Sequence, residues 1–397
     1  MAEARRTILF ALCLATIATA TGASAEESAD LRVPGVVVAH SPASSGIYIG
    51  SAGIAVLSNG VYLAKHDEFG PTSTEHTSAI TRVFRSTDRG QTWSPLSTID
   101  GLFWSNIFEH RGNVYMIGTH HHNGPLVVYK STDGGTTWST PRDDKSGLIR
   151  PGKWHTAPVP VVVHDGRLWR AMEDGDGPDC WGPMYRPHVL SIPVTGDLLD
   201  ASQWTITNTI ERDGGWLGGT FWCVLEGNAV LDRAGVIRNM LRSNLDDTAA
   251  VATVSRDGQS LAIDPTFDRA SLPGSSKKLL IRWDGKAQLY WALSNPSLSG
   301  DDGQLPTTVR NTLALYSSPD LREWTLCCVL LHHPDSQKHA FQYPDFVIEG
   351  DDLLVASRTA FDDGLGGAHR AHDANYLTFH RFRNFRRLTP ADGVQLK

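Results

Sequence analysis

Ser86-Thr87-Asp88-Arg89-Gly90-Gln91-Thr92-Trp93 and Ser131-Thr132-Asp133-Gly134-Gly135-Thr136-Thr137-Trp138 are two copies of one pattern, S-x-D-x-G-x-x-W. Each residue type repeated in the pattern has a local task. The Ser and Asp side chains satisfy turn backbone groups, glycine adopts a φ that other residues resist, and tryptophan offers a large ring for packing between sheets. A weaker version, Ser317-Ser318-Pro319-Asp320 leading to Trp324, has lost the glycine. The pattern predicts hairpins and speaks for fold, not for catalysis.

A second periodicity runs through the chain independently of the first. An apolar strand, a Gly/Asn/Asp turn and another apolar strand ending in polar residues recur at 48–66, 103–120, 155–173, 221–242, 279–293 and 341–358. These are six units. No long amphipathic helix interrupts them, and no Pro/Ser/Gly linker divides them. Although 397 residues exceed the usual single-domain length, one closed all-β domain over 26–397 is the economical reading. With 41% hydrophobic and 20% charged residues, the composition is that of a globular chain. Lys and Arg number 36 against 43 Asp and Glu, a net charge of −7 with no dense basic run, which argues against nucleic-acid binding.

Arg5 and Arg6 precede an apolar run over 8–20, and Ala23-Ser24-Ala25 has the small-x-small form of a cleavage site. The expectation is a signal peptide over 1–25, a mature chain starting at Glu26 and a secreted or periplasmic protein. The run is too short for a membrane span. Removal of Cys13 leaves Cys180, Cys223, Cys327 and Cys328. The last two are adjacent and unsuited to bonding each other, and either could pair with Cys180 or Cys223 in an oxidising compartment.

If the first strand of each unit lies innermost and the second returns beside it, starts of first strands and ends of second strands share one face around a central mouth. That rule gathers His66, His120, Glu173, Arg242 and Arg358 from second strands, and His155, Gln342 and Tyr343 from first strands. Imidazoles, carboxylates and guanidiniums together suit an anionic sugar. Of His120-His121-His122 only alternate members can face one site, and a solvated turn is the plain alternative. No cofactor is called for. The histidine run leaves a metal ion as an open alternative, although no C-x-x-C spacing accompanies it.

The S-x-D-x-G-x-x-W pattern resembles the Asp box, or BNR repeat, of the sialidase-like β-propeller superfamily. The resemblance implies a single propeller, with six blades by the repeat count and seven as the usual number in its uronate-active branch. Exo-sialidases open the first inner strand with Arg-Ile-Pro, whose arginine grips the sialic carboxylate. Here that stretch reads Tyr48-Ile49-Gly50-Ser51-Ala52-Gly53-Ile54. His40-Ser41-Pro42, His66-Asp67, Trp154-His155-Thr156-Ala157-Pro158-Val159-Pro160, Glu226-Gly227-Asn228 and the stretch 369–376 resemble instead the branch holding ulvan lyases and α-L-rhamnosyl-glucuronate hydrolases. By that resemblance His40 matches the catalytic histidine of the hydrolases. His155, Tyr343 and Arg242 fit parts of the lyase scheme, in which histidine and tyrosine act as acid and base and arginine neutralises the uronate. Glu173-Asp174 stands where the lyases carry a second histidine, which favours hydrolysis over elimination.

The expected function is therefore a secreted glycoside hydrolase of α-L-rhamnosidase type, acting on uronate-bearing polysaccharide through a histidine acid/base. Catalytic candidates are His40, His155 and Tyr343. Substrate-binding candidates are His66, His120, Glu173, Arg242, Arg358 and Gln342. A polysaccharide lyase, an exo-sialidase and a non-catalytic glycan-binding propeller are the alternatives. The expected partner is an acidic polysaccharide or oligosaccharide, bound by a monomer without nucleic acid or membrane.

Overall fold

A computed structural model describes residues 32–211, 213–220, 222–264, 268–298 and 304–394. The signal peptide expected over 1–25 lies outside these residues. Six antiparallel sheets account for the strands, and the helical pieces are 3-10 turns of three or four residues. The inner strands of blades 1 to 6 include Gly53–Val56, Phe103–His110, Val162–His164, Val224–Leu231, Leu280–Asp284 and Ala340–Glu349. Their second strands are Tyr62–Phe69, Asn113–Thr119, Arg167–Asp174, Ile237–Ser243, Leu289–Ser294 and Asp352–Ala360. Inner strands of neighbouring blades touch around the ring, blade 6 against blade 1 included, except that blade 3 meets blade 2 through Trp154–His155 against the second strand Asn113–Thr119. The blade number is six, as the repeat count gives, and not the seven of the uronate-active branch. Among the described residues no helix is long and apolar enough to cross a membrane.

Closure joins the two ends of the chain. Val36–His40 is the outermost strand of blade 6 and pairs antiparallel with Tyr376–Phe382, His40 opposite Tyr376. Six apolar clusters each lie between two adjacent blades, so the core is a ring of wedges and not one central mass. Axial positions are left to polar and charged groups, the arrangement that positions the site.

Both Asp boxes fold as their residue types require. Ser86 ends the third strand Ile80–Ser86, and Ser94 begins the fourth, Ser94–Asp100. Gly90 N–H donates to Ser86 Oγ (2.8 Å), and Thr92 donates N–H and O–H to the Asp88 carboxylate (2.9 and 2.6 Å). The Thr92 bonds, with that from Ser86, hold the Asp88 carboxyl down at about 2. Ser131, Asp133, Gly135 and Thr137 repeat the pattern. Each box lies against the preceding blade: Trp93 meets Phe379 of blade 6 at 5.4 Å between centroids, and Trp138 Nε1 donates to Ser97 Oγ of blade 1 (3.0 Å).

In the weaker box Leu321 takes the missing glycine's place, with φ 69° and its N–H on Ser318 Oγ (2.9 Å). A further box went unread in the sequence because it has no tryptophan of its own. Ser255 and Asp257 bond each other and the amides of Ser260 and Gln259, and Gly258 sits against Trp169 of blade 3. The slot is filled from the other side. Cys180, Cys327 and Cys328 are free thiols, so the pairings left open by the sequence are not made.

Trp138→Ala should lower stability by about 3 kcal/mol, the lower end of the range for buried tryptophan, since the indole is partly exposed. Denaturant unfolding checks this; a loss below about 1 kcal/mol would show that the box does not wedge blades 1 and 2.

Candidate functional site

A cavity of about 820 Å³ opens at the mouth of the ring. Glu226 enters it from the inner strand of blade 4 at φ 51°, where the pairing register slips between Leu225 and Asn228. Gly227 follows because any Cβ there would lie 2.1 Å from Asn239 Oδ1. Tyr343 enters from blade 6 at φ 48°, at a slip between Gln342 and Asp345. A β-bulge of this kind re-aims one side chain without ending the strand. The two side chains meet: Tyr343 Oη donates to Glu226 Oε1 (2.9 Å), while Arg242 Nη1 donates to Glu226 Oε2 (2.8 Å).

Burial pushes the Glu226 carboxyl up, but Arg242 and the hydrogen bonds outweigh it, so the group titrates below the ordinary glutamate range. Burial and the Glu226 charge push the Tyr343 phenol up, against Arg310, Arg242 and Arg358. The phenol is therefore neutral and beside an ionised carboxylate that can take its proton.

Arg310 and Arg358 flank the phenol, with Cζ 5.5 and 5.1 Å from its ring centroid. Both are buried, and neither is among the ion pairs of the described residues. Arg310 Nη1 donates to Gln342 Oε1 (2.6 Å), whereas Arg358 Nε is buried with no hydrogen-bond partner. Burial lowers the Arg358 guanidinium to about 10, which leaves it charged at neutral pH. Two buried cations and an unused donor beside a Tyr–Glu pair form a receptor for an anion.

On the other side the wall is aromatic, with Trp104, Trp181 and Tyr185. Glu75 lines the rim, mostly buried, and burial pushes its carboxyl up. His122, its ring lowered to about 4 by burial, donates its backbone N–H to the Glu75 backbone carbonyl (2.7 Å).

The sequence-derived candidates divide into three groups. His155, Arg242, Tyr343 and Arg358 share the cavity. Glu173 and Gln342 are fully buried behind it: Glu173 Oε2 bonds His155 Nδ1 (3.1 Å), its Oε1 accepts from Gly227 N–H (3.1 Å), and Gln342 holds Arg310. His40, His66 and His120 lie elsewhere. His40 and His66 share a separate cavity of about 430 Å³. His40 pairs with Asp363 (3.0 Å) there because its strand is the outermost of blade 6 and not an axial one. His66 is lowered to about 4 by burial and stacks on Phe84. His120 bonds His121, and His122 is the member of the run that reaches the cavity.

Glu75, Arg310 and the stretch His369 to Asp373 escape the strand-end rule because they sit in connections between second and third strands. Those connections share the same face, so including them would have found all of these residues. Among the described residues no group of three or more His, Cys, Asp or Glu side chains is placed to hold a metal ion.

Solved structures with the same architecture include a Penicillium chrysogenum α-L-arabinanase complexed with arabinobiose (14% identity, TM-score 0.56, 90% of this chain and 99% of that one). The Hadza microbial sialidase Hz136 is similar at 16% identity and TM-score 0.59, over 88% and 68% of the two chains. A Fusarium graminearum GH93 α-L-arabinofuranosidase, also with arabinobiose, matches at 13% identity and TM-score 0.55, over 88% and 96%. The fold is that of the sialidase-like six-bladed propellers. No protein-family model matches the chain, and no curated protein matches it by sequence.

His40→Gln separates the two cavities. With chemistry in the central one, kcat should stay within about twofold; a drop of about 10²–10⁴, the size of a lost general acid or base, would move the reaction to the outer cavity.

Proposed function

We propose that the chain is a glycoside hydrolase of acidic glycans, cleaving a sugar whose carboxylate is held beside Tyr343. The observation that carries this reading is the Tyr343–Glu226–Arg242 chain beside two buried arginines that have no carboxylate of their own. Arg358 and Arg310 hold the substrate carboxylate next to Tyr343. The Tyr343 oxygen attacks the anomeric carbon as its proton passes to Glu226, and the glycosidic C–O bond breaks as Glu75 protonates the leaving oxygen. Water, deprotonated by Glu75, then displaces the tyrosyl oxygen, which recovers its proton from Glu226. That the similar structures are an arabinanase, an arabinofuranosidase and a sialidase supports glycosidic chemistry. Uronate-bearing polysaccharides, suggested by the sequence resemblance, and sialosides are the substrates to try first. Product masses then decide the reaction, since hydrolysis adds water and elimination does not.

Glu226 works ionised and is held low, whereas Glu75 works protonated and is held high. Activity should therefore rise with pH as Glu226 loses its proton and fall as Glu75 loses its own, a bell on the acidic side of neutrality. Glu75→Gln should remove the alkaline limb and lower kcat by about 10²–10⁴ on alkyl glycosides, with a smaller loss on aryl glycosides that leave without protonation. An unchanged alkaline limb would exclude Glu75 as the acid. Tyr343→Phe should cost on the order of 10³ or more in kcat. Arg358→Met should raise KM about ten- to a hundredfold, from a lost charged hydrogen bond worth about 1.5–3 kcal/mol. Equal KM increases on a carboxyl-reduced substrate would argue against a carboxylate contact.

A further inference from the structure

Glu226 and Tyr343 reach the cavity by one backbone device, and the device occurs a third time. Each occupies the left-handed position of a bulge in an inner strand. Two residues on, Asn228 Oδ1 accepts from Ile281 N–H (3.1 Å) and Asp345 Oδ2 accepts from Ile54 N–H (3.0 Å), both in the next blade. In blade 2 the register slips between Phe103 and Asn106, Trp104 has φ 51°, and Asn106 Oδ1 accepts from Arg170 Nε of blade 3 (2.9 Å). The three bulges fall in blades 2, 4 and 6, a threefold arrangement about the axis.

Each bulge is also held by a buried ionisable side chain of the preceding blade. Asp67 accepts from Trp104 N–H (2.7 Å), Glu173 accepts from Gly227 N–H (3.1 Å), and Lys278 Nζ donates to Pro344 O. Asp67 is itself fixed by Lys65 (3.0 Å) and Thr81 (2.7 Å). A left-handed tryptophan is strained by about 1–2 kcal/mol, and such strain persists where the surroundings over-determine it, commonly at functional sites.

We propose that Trp104 is a further substrate-contacting residue, an indole platform for the neutral pyranose ring on the leaving-group side, with Asp67 as its positioning residue. The inference rests on the cavity being the active site proposed above. Blade 2 stands across the axis from blade 5, which supplies Arg310, so the indole and that part of the carboxylate receptor line opposite sides of one cavity. The Trp104 ring lies 4.8 Å from that of His122, which lies 4.9 Å from the ring of His76, the partner of the Glu75 carboxylate (3.4 Å), so it stands on the Glu75 side of the cavity. About 820 Å³ is in the range that holds ligands larger than one sugar ring. The C–H face of a pyranose is apolar and fits the electron-rich face of indole.

Saturation-transfer NMR on the protein, with methyl β-D-galactopyranoside and D-glucuronate as separate probes, tests this without turnover. The wild type should saturate one face of the galactoside. Trp104→Ala should reduce that response at least fivefold with the glucuronate response within about twofold, Trp104→Phe should keep both, and Arg310→Met should reduce glucuronate alone. Thermal melting checks each variant, and Trp104→Gly, which takes φ 51° without strain, replaces Trp104→Ala if the latter does not fold. An unchanged galactoside response, none in the wild type, or equal loss of both probes overturns the assignment. A wild type that answers to galactoside but to neither glucuronate nor N-acetylneuraminate would instead sink the acidic-glycan reading and leave Trp104 in its role.

Discussion

A ring of twisted sheets lacks the last wedge of its core until it closes, because each apolar cluster needs one face from each of two neighbours. Here closure is the antiparallel pairing of Val36–His40 with Tyr376–Phe382, which completes blade 6 with a strand from the opposite end of the chain. It also brings the blade 6 inner strand against that of blade 1, where Asp345 of one bonds Ile54 of the other. The axis, and so the cavity above it, exists only in the closed ring.

Because the apolar wedges lie between blades, the axial layer is where ionisable groups are buried and paired. Lys65 with Asp67, Glu226 with Arg242, and Asp345 with Arg282 are such pairs. A buried pair of this kind is weak evidence for stability, since desolvation offsets much of its attraction. Its use here is directional: these groups fix where the inner strands bulge and which side chain each bulge presents. Glu173 illustrates this, holding His155 with one oxygen and the Glu226 bulge with the other.

The blade count and the hairpin turns were legible in the sequence because both depend on short-range patterns: a turn residue at a fixed offset, and alternating strands around it. The cavity was legible in part. Arg242, Arg358, His155 and Tyr343 followed from the rule that strand ends share a face. His40 did not, since strand order within a blade is a long-range property, and nothing local in Val36-Val37-Val38-Ala39-His40 says that it lies outermost. The bulges were invisible for a similar reason, as register is set by the partner strand. Box residues contributed by another blade, such as Trp169 under Gly258, are hidden in the same way.

The boxes of blades 1, 2 and 5 lay their tryptophans against the blade before them, and the box of blade 4 leans on Trp169 of blade 3. The ring therefore has a direction. A chain emerging from its N-terminus can seat these later blades on surfaces already made, but blade 1 finds its neighbour only when blade 6 arrives. Until then Val36–His40 is a strand without its partner and the Phe379 seat for Trp93 is missing. The joint between first and last blades is thus the seam of the assembly, where a growing chain is most open to pairing with a second copy of itself.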